Sequence, residues 1–167
     1  MLKPISEKRL HNTLPQSGCV EWIGRAAARR APIETVSQVQ INEGTGIEGD
    51  HHAKGAKAHT KRQVTLIQSE HLPVIAALSG HPEVPPEWLR RNIVVSGIPL
   101  LGLLNKRFAI GEAVLETTGL CDPCHLMEKK LGPGGFNAMQ GHGGITARVI
   151  SSGSVQLGDL VRWIQED

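Results

Sequence analysis

The sequence predicts a mainly β protein, a closed or nearly closed β-barrel with a few short helices. Three observations lead there. At least six short runs alternate apolar and polar residues between turns marked by glycine; helical stretches are few and brief; and 167 residues suit one domain with a substantial core. Closing such strands on one another buries their apolar faces and removes their edges at the same time.

Residues 1–17 are polar and lack periodicity, so they read as a flexible N-terminal arm ahead of a single domain at 18–167. From Gly18, CVEWIGRAAARR and then IETVSQVQINEGTG give two strands, with Val39 and Ile41 alternating with polar neighbours before a turn. Arg25, Arg29 and Arg30 read as the solvated face of an edge strand, outside any site.

Residues 46–62, GIEGDHHAKGAKAHTKR, hold too much glycine and charge for a strand or an apolar helix and are predicted to form an exposed loop. His51, His52 and His59, with Asp50 nearby, have the chemistry of metal ligands. Adjacent histidines on an extended chain, however, point to opposite faces and do not readily share an ion. The composition equally fits a mobile basic loop, or an anion-binding loop whose amides converge at glycines while Lys54, Lys57, Lys61 and Arg62 supply charge.

QVTLI at 63–67 is a short buried strand. Ser69 then stands where it can cap the longest helix, with Leu72, Ile75 and Leu78 apolar, Pro73 in the first turn and Gly80 at the end. PPEWLRRNIVVSG passes from a helical turn into a strand over 92–95, leaving Arg90 and Arg91 at the junction, a place from which arginine often meets phosphate or carboxylate. RFAIGEAVLETTG supplies the strand that delivers the chain to GLCDPCH at 119–125. HLMEKKLG allows a turn or two of helix, PGGFNAMQGHGG a glycine-rich loop, and ITARVISSGSVQLGDLVRWI a terminal meander of strands.

A net charge of +2 and a charged fraction of 20% do not make a general nucleic-acid binder, and no apolar run approaches the roughly 18 residues of a membrane span. Three cysteines, Cys19, Cys121 and Cys124, are too few for a disulfide scaffold and leave one unpaired, which favours a reducing compartment. The expectation is a soluble, cytoplasmic protein with neither nucleic acid nor membrane as partner.

Cys121 and Cys124 admit three chemistries. A structural zinc site needs two further ligands, and His125 and His142 are candidates in a chain without a second CxxC. A redox dithiol is suggested by CxPC but needs a long helix behind it within a βαβ unit. The third is a single working thiol at Cys124 that ligates a soft metal or carries sulfur as a persulfide, with Cys121 in support.

In order, GIEGDHH, RQVTLIQSEHL, RRNIVVSG, RFAIGEAVLETTGLCDPCHLME and GHGGITARVISSGSVQLGD resemble the MOSC domain, named for the C-terminus of molybdenum-cofactor sulfurase, over roughly Gly18 to Trp163. The resemblance implies a β-barrel of the pyruvate-kinase kind, with Cys124 matching the hallmark cysteine of a TGxCxPC-like pattern. It implies molybdenum cofactor (molybdopterin), with Cys124 as catalytic thiol and molybdenum ligand. Arg90 and Asn92 match an Arg-x-Asn pair that holds the pterin and its phosphate. A GxxGDxH-like segment adds Asp50, His51 and Lys54 to the pocket.

Three functions follow from the resemblance: a molybdenum-dependent reductase of N-hydroxylated compounds, a sulfur carrier loaded at Cys124, or a binding module for a phosphorylated small molecule. Sulfur would arrive from a separate pyridoxal-phosphate cysteine desulfurase, and electrons from a redox partner protein.

Overall fold

The structure, a computed structural model, describes residues 4–54 and 61–165. In chain order the elements are α1 (Glu7–His11), β1 (Ser17–Arg25), β2 (Glu34–Val36), β3 (Gln38–Asn42), β4 (Gly46–Ile47), β5 (Val64–Gln68), α2 (His71–Ser79), α3 (Pro86–Leu89), β6 (Ile93–Ser96), β7 (Arg107–Ile110), β8 (Ala113–Leu120), α4 (His125–Leu131), α5 (Gly135–Ala138), β9 (Ile145–Ser151), β10 (Gly153–Gln156) and β11 (Leu160–Trp163). Short 3₁₀ turns occupy His51–Ala53 and Leu100–Leu103.

The predicted barrel closes. Strands β1, β11, β7, β8, β9, β5 and β6 pair in that circular order, β6 returns to β1, and β2 extends from β1 outside the ring. All of these pairs are antiparallel except β5 with β6, which run parallel with α2 and α3 between them. Closure depends on β1 pairing with both β6 and β11, with Cys19 opposite Ser96 on one side and Leu160 on the other. A second, three-stranded sheet runs β10, β3, β4.

Alternation along each strand separates two apolar clusters. Val20, Ile23, Leu66, Ile93, Val95, Phe108, Leu115, Ala147 and Val161 belong to the barrel core. On the outer side, Ile67 and Val94 meet Ile75, Leu89, Met127, Leu131 and Met139, so the helices are held against β5 and β6. This second cluster seats α4, and with it the cysteine segment.

Several sequence expectations are corrected. The three C-terminal strands do not form a meander: β9 pairs with β5 and β8, β10 leaves the barrel for β3, and β11 closes on β1 and β7. Their turns are short, yet each strand pairs with partners far away in sequence. Ser69 does not cap α2: the helix starts after Glu70 without a side-chain cap, and the Ser69 amide donates to Val95 O, extending the link to β6. Leu78 is exposed, since only Ile75 and Ala76 of α2 are fully covered. Gly80 does end the helix, at φ 75°. The arm contains α1, capped by the Ser6 side chain on Arg9 N, and its Leu14 packs on the barrel core. No helix among the described residues is long and apolar enough to cross a membrane.

Candidate functional site

β8 ends at Leu120, and the next residue turns inward: Cys121 is 1% exposed, whereas Cys124 is exposed and stands immediately before α4. Buried Arg91 holds this segment in place. Its Nη2 donates to Cys121 O at 2.8 Å and Asp122 O at 3.4 Å, its Nε to Gly143 O at 2.9 Å, and its Nη1 to Leu89 O at 2.9 Å. One fork of donors thereby ties the end of α3, the cysteine segment and the Gly143–Gly144 turn together. Burial pushes the guanidinium's proton affinity down from its ordinary range, while the neighbouring Cys121 pushes it up. Gly144, at φ 88°, makes the crossing feasible, because a Cβ there would collide with Leu66 O. Arg62 Nη2 lies 3.2 Å from Cys121 Sγ, giving the inner sulfur a cationic neighbour.

Arg90 stands apart from Arg91. It adopts the left-handed conformation at φ 57°, and its Nη1 donates to Ala31 O at 2.8 Å. Its side chain borders a cavity of about 510 Å³ together with Arg30, Lys129, Lys130, Glu87, Trp88 and the α4 residues Leu126 and Met127. Lys130 Nζ lies 5.2 Å from the Trp88 ring centroid. Four cations against one carboxylate favour an anionic ligand. Arg30 is exposed, as expected of a solvated arginine, but it follows β1 rather than lying on it, and at φ 65° it turns onto the rim of this cavity. Cys124 does not line this cavity; it precedes the helix that forms one wall of it.

Asn92 and Asp50 meet in the interior. Asn92 Oδ1 accepts from Thr65 N and Thr65 Oγ1, each at 3.0 Å, and its Nδ2 donates to Gly24 O and Asp50 Oδ2, each at 3.2 Å. All four hydrogen-bonding positions of the carboxamide are therefore filled within the protein. Asp50 Oδ2 also accepts from Ala26 N at 2.9 Å, and Oδ1 accepts from His52 N at 3.0 Å. Burial works against the Asp50 charge, but bonds from His52 and Ala26 outweigh it and hold the carboxyl below its ordinary range.

The segment after Asp50 is a 3₁₀ turn rather than an extended chain, so His51 and His52 share one side, with ring centroids 4.0 Å apart. His52 Nδ1, not His51, lies 2.8 Å from Asp50 Oδ1. Lys54 Nζ donates to Ala27 O at 2.8 Å, directed at the segment after β1 and not at a ligand cavity. Lys57 and His59 lie outside the described residues.

The structure thus brings Arg90 to a cavity beside α4, sets Cys124 at the start of that helix, and gives Asp50 and Asn92 to an internal network. Arg91, Arg30, His52, Lys129 and Lys130 were absent from the sequence-derived site. For His52 a signal existed, since the spacing in GDHH places it, not His51, at the histidine of GxxGDxH.

Comparison with known proteins places the fold in a known family. Residues 48–162 match the family model described as the MOSC domain. YuaD of Bacillus subtilis (strain 168), named provisionally for metal-sulfur cluster biosynthesis, is 32% identical over a stretch covering 47% of this chain and 50% of that protein. The chain thus aligns with about half the length of this curated relative. The crystal structure of the Bacillus subtilis YUAD protein superposes with a TM-score of 0.75 at 25% identity, covering 92% of this chain and 100% of that one. YiiM from Geobacillus stearothermophilus shares the fold, with a TM-score of 0.71 at 15% identity over 89% of this chain and 75% of that chain.

Proposed function

Because the chain belongs to the MOSC domain family, we propose that it binds molybdenum cofactor and acts as a molybdenum-dependent reductase of N-hydroxylated compounds. The observation that carries this reading is the cationic cavity walled by α4, with the exposed thiol of Cys124 at the start of the same helix. The donor set fits the group: a soft thiolate suits molybdenum, and guanidinium and ammonium groups suit a phosphate. Arg30, Arg90, Lys129 and Lys130 would hold the anionic end, and Cys124 would bind the metal. When bound, the cofactor supplies two-electron redox chemistry. The chain's own residues orient it: Arg91 fixes the cysteine segment, and the Asp50–Asn92 network fixes the approach of β1 to β6. A separate redox protein would supply electrons.

A second reading is favoured by the Arg62–Cys121 contact beside Cys124 and by the name of YuaD. Here Cys124 thiolate attacks the terminal sulfur of a donor persulfide, takes that sulfur and releases the donor thiolate. A pyridoxal-phosphate cysteine desulfurase is the class of donor required.

Metal and pterin analysis of protein from a molybdenum-replete host separates the two. The cofactor reading expects near-stoichiometric molybdenum in wild type, its loss in Cys124→Ser, partial retention in Cys121→Ser, and at least about tenfold weaker cofactor binding in Arg90→Ala with the fold intact. A wild type without molybdenum that gains the mass of one sulfur atom at Cys124 on incubation with a desulfurase establishes the second reading. Equal loss in both cysteine variants points to a dithiol or zinc site instead.

A further inference from the structure

We propose that Asp50, His51 and His52 form a site for a single divalent transition-metal ion of the zinc class, distinct from the Cys124 thiol. One ligand atom from each residue falls within 4.8 Å of the others, the arrangement of a two-histidine, one-carboxylate centre. Asp50 Oδ1 stands 3.6 Å from His51 Nδ1 and 2.8 Å from His52 Nδ1. Ligands about 2.0–2.2 Å from a tetrahedral zinc lie somewhat over 3 Å from one another, so a sub-ångström opening of the His52 contact admits the ion.

An independent observation supports the site. His51 Nδ1 is buried and has no hydrogen-bond partner among the described residues, an arrangement that costs free energy unless something pairs with the nitrogen. A metal ion would do so. The surrounding support is already built: Asp50 Oδ2 is fixed by Ala26 N and Asn92 Nδ2, and His52 N holds Oδ1. Such outer bonds orient a ligating carboxylate and are a regular part of metal centres. On binding, the His52 proton on Nδ1 moves to Nε2, so both imidazoles coordinate in their neutral form.

The 3₁₀ turn creates this site, since it places two neighbouring imidazoles on one side. Access is open, the two histidine side chains being 25% and 26% exposed. Arg90 carries a positive charge that acts on His51 and therefore disfavours a cation there. The remaining coordination position stays open to water or a ligand.

The test is Zn²⁺ titration of the tag-free full chain against a chromophoric chelator, repeated with Co²⁺ for its ligand-field spectrum. Wild type and Cys124→Ser are expected to bind one equivalent with the same affinity. His51→Gln, which removes no hydrogen bond of the described fold, should weaken binding at least tenfold, as should Asp50→Asn, and Arg90→Ala should strengthen it. Unfolding curves recorded alongside show which variants keep the fold. Absence of binding in wild type, wild-type affinity in His51→Gln, or loss of binding in Cys124→Ser each overturns the site; the last assigns the ion to the thiol.

Discussion

Arg91 shows how one side chain sets the geometry around a reactive group it does not touch. Its guanidinium satisfies carbonyls from three segments that are far apart in sequence, and each bond is charge-assisted. Arg91→Ala leaves those carbonyls buried without donors and is expected to cost at least about 3 kcal/mol in denaturant unfolding. Arg91→Lys should recover little, because an ammonium on a flexible stem cannot span the same fork. A variant as stable as wild type would mean that the cysteine segment holds its position without the clamp. Arg90, one residue earlier, donates to Ala31 O and borders the cavity. The two neighbours look alike in sequence. The left-handed turn at Arg90 sends their side chains to different places.

Among the elements, the Gly143–Gly144 turn into β9 carries the tightest demand. Cys121 N donates to Gly144 O at 2.9 Å, and a side chain on either glycine would strike backbone, that of Cys121 for Gly143 and that of Leu66 for Gly144. The close approach joins β8, β9 and β5 at the place where the cysteine segment begins. Gly144→Ala combines this collision with a positive φ and should destabilise by more than about 1 kcal/mol. Gly132→Ala, also at positive φ but with open space around it, is the control for the φ effect alone. If both variants lose the same stability, the close approach contributes nothing. The helix α4 depends on this turn indirectly, since Met127 and Leu131 dock on the outer cluster while its first residue follows Cys124.

Across the fold, His51, His71 and Asp50 couple stability to pH with one sign. Burial, followed by the charge of a neighbouring histidine, lowers the proton affinity of both His51 and His71, the neighbours being His52 and His142. Asp50 is also lowered: burial opposes its ionisation, but the His52 and Ala26 bonds win. A group whose pKa is lower folded than unfolded favours folding above its unfolded value and loses that contribution as pH falls through its folded value. Stability is therefore expected to decline below about 6.5 as the histidines charge, and to decline again below about 3.9 as Asp50 protonates. Urea midpoints across this range check the prediction. His71→Gln should flatten the first decline and Asp50→Asn the second; a midpoint that rises between pH 6.5 and 5 would contradict the assignment.

Strand periodicity, the closed barrel and the placement of Cys124 after a strand were legible in the sequence, because alternation and a thiol beside a turn are properties of short stretches. The resemblance carried by five ordered segments pointed to the MOSC domain on the same local grounds, and the family match over residues 48–162 agrees. The partners of the last three strands were not legible, because pairing depends on which distant edges remain open once the barrel closes. Nor was the division of labour at the site. Asn92 looks like a ligand-binding group until the fold places it 3.2 Å from Asp50 and fills its bonds, and exposed Arg30 meets Lys129 and Lys130 at one cavity only because the chain turns there. His51 and His52 point apart on an extended strand and together on a 3₁₀ turn. In each case the residue type states which chemistry is available. Register and backbone conformation, set by packing between residues far apart in sequence, decide which partner receives it.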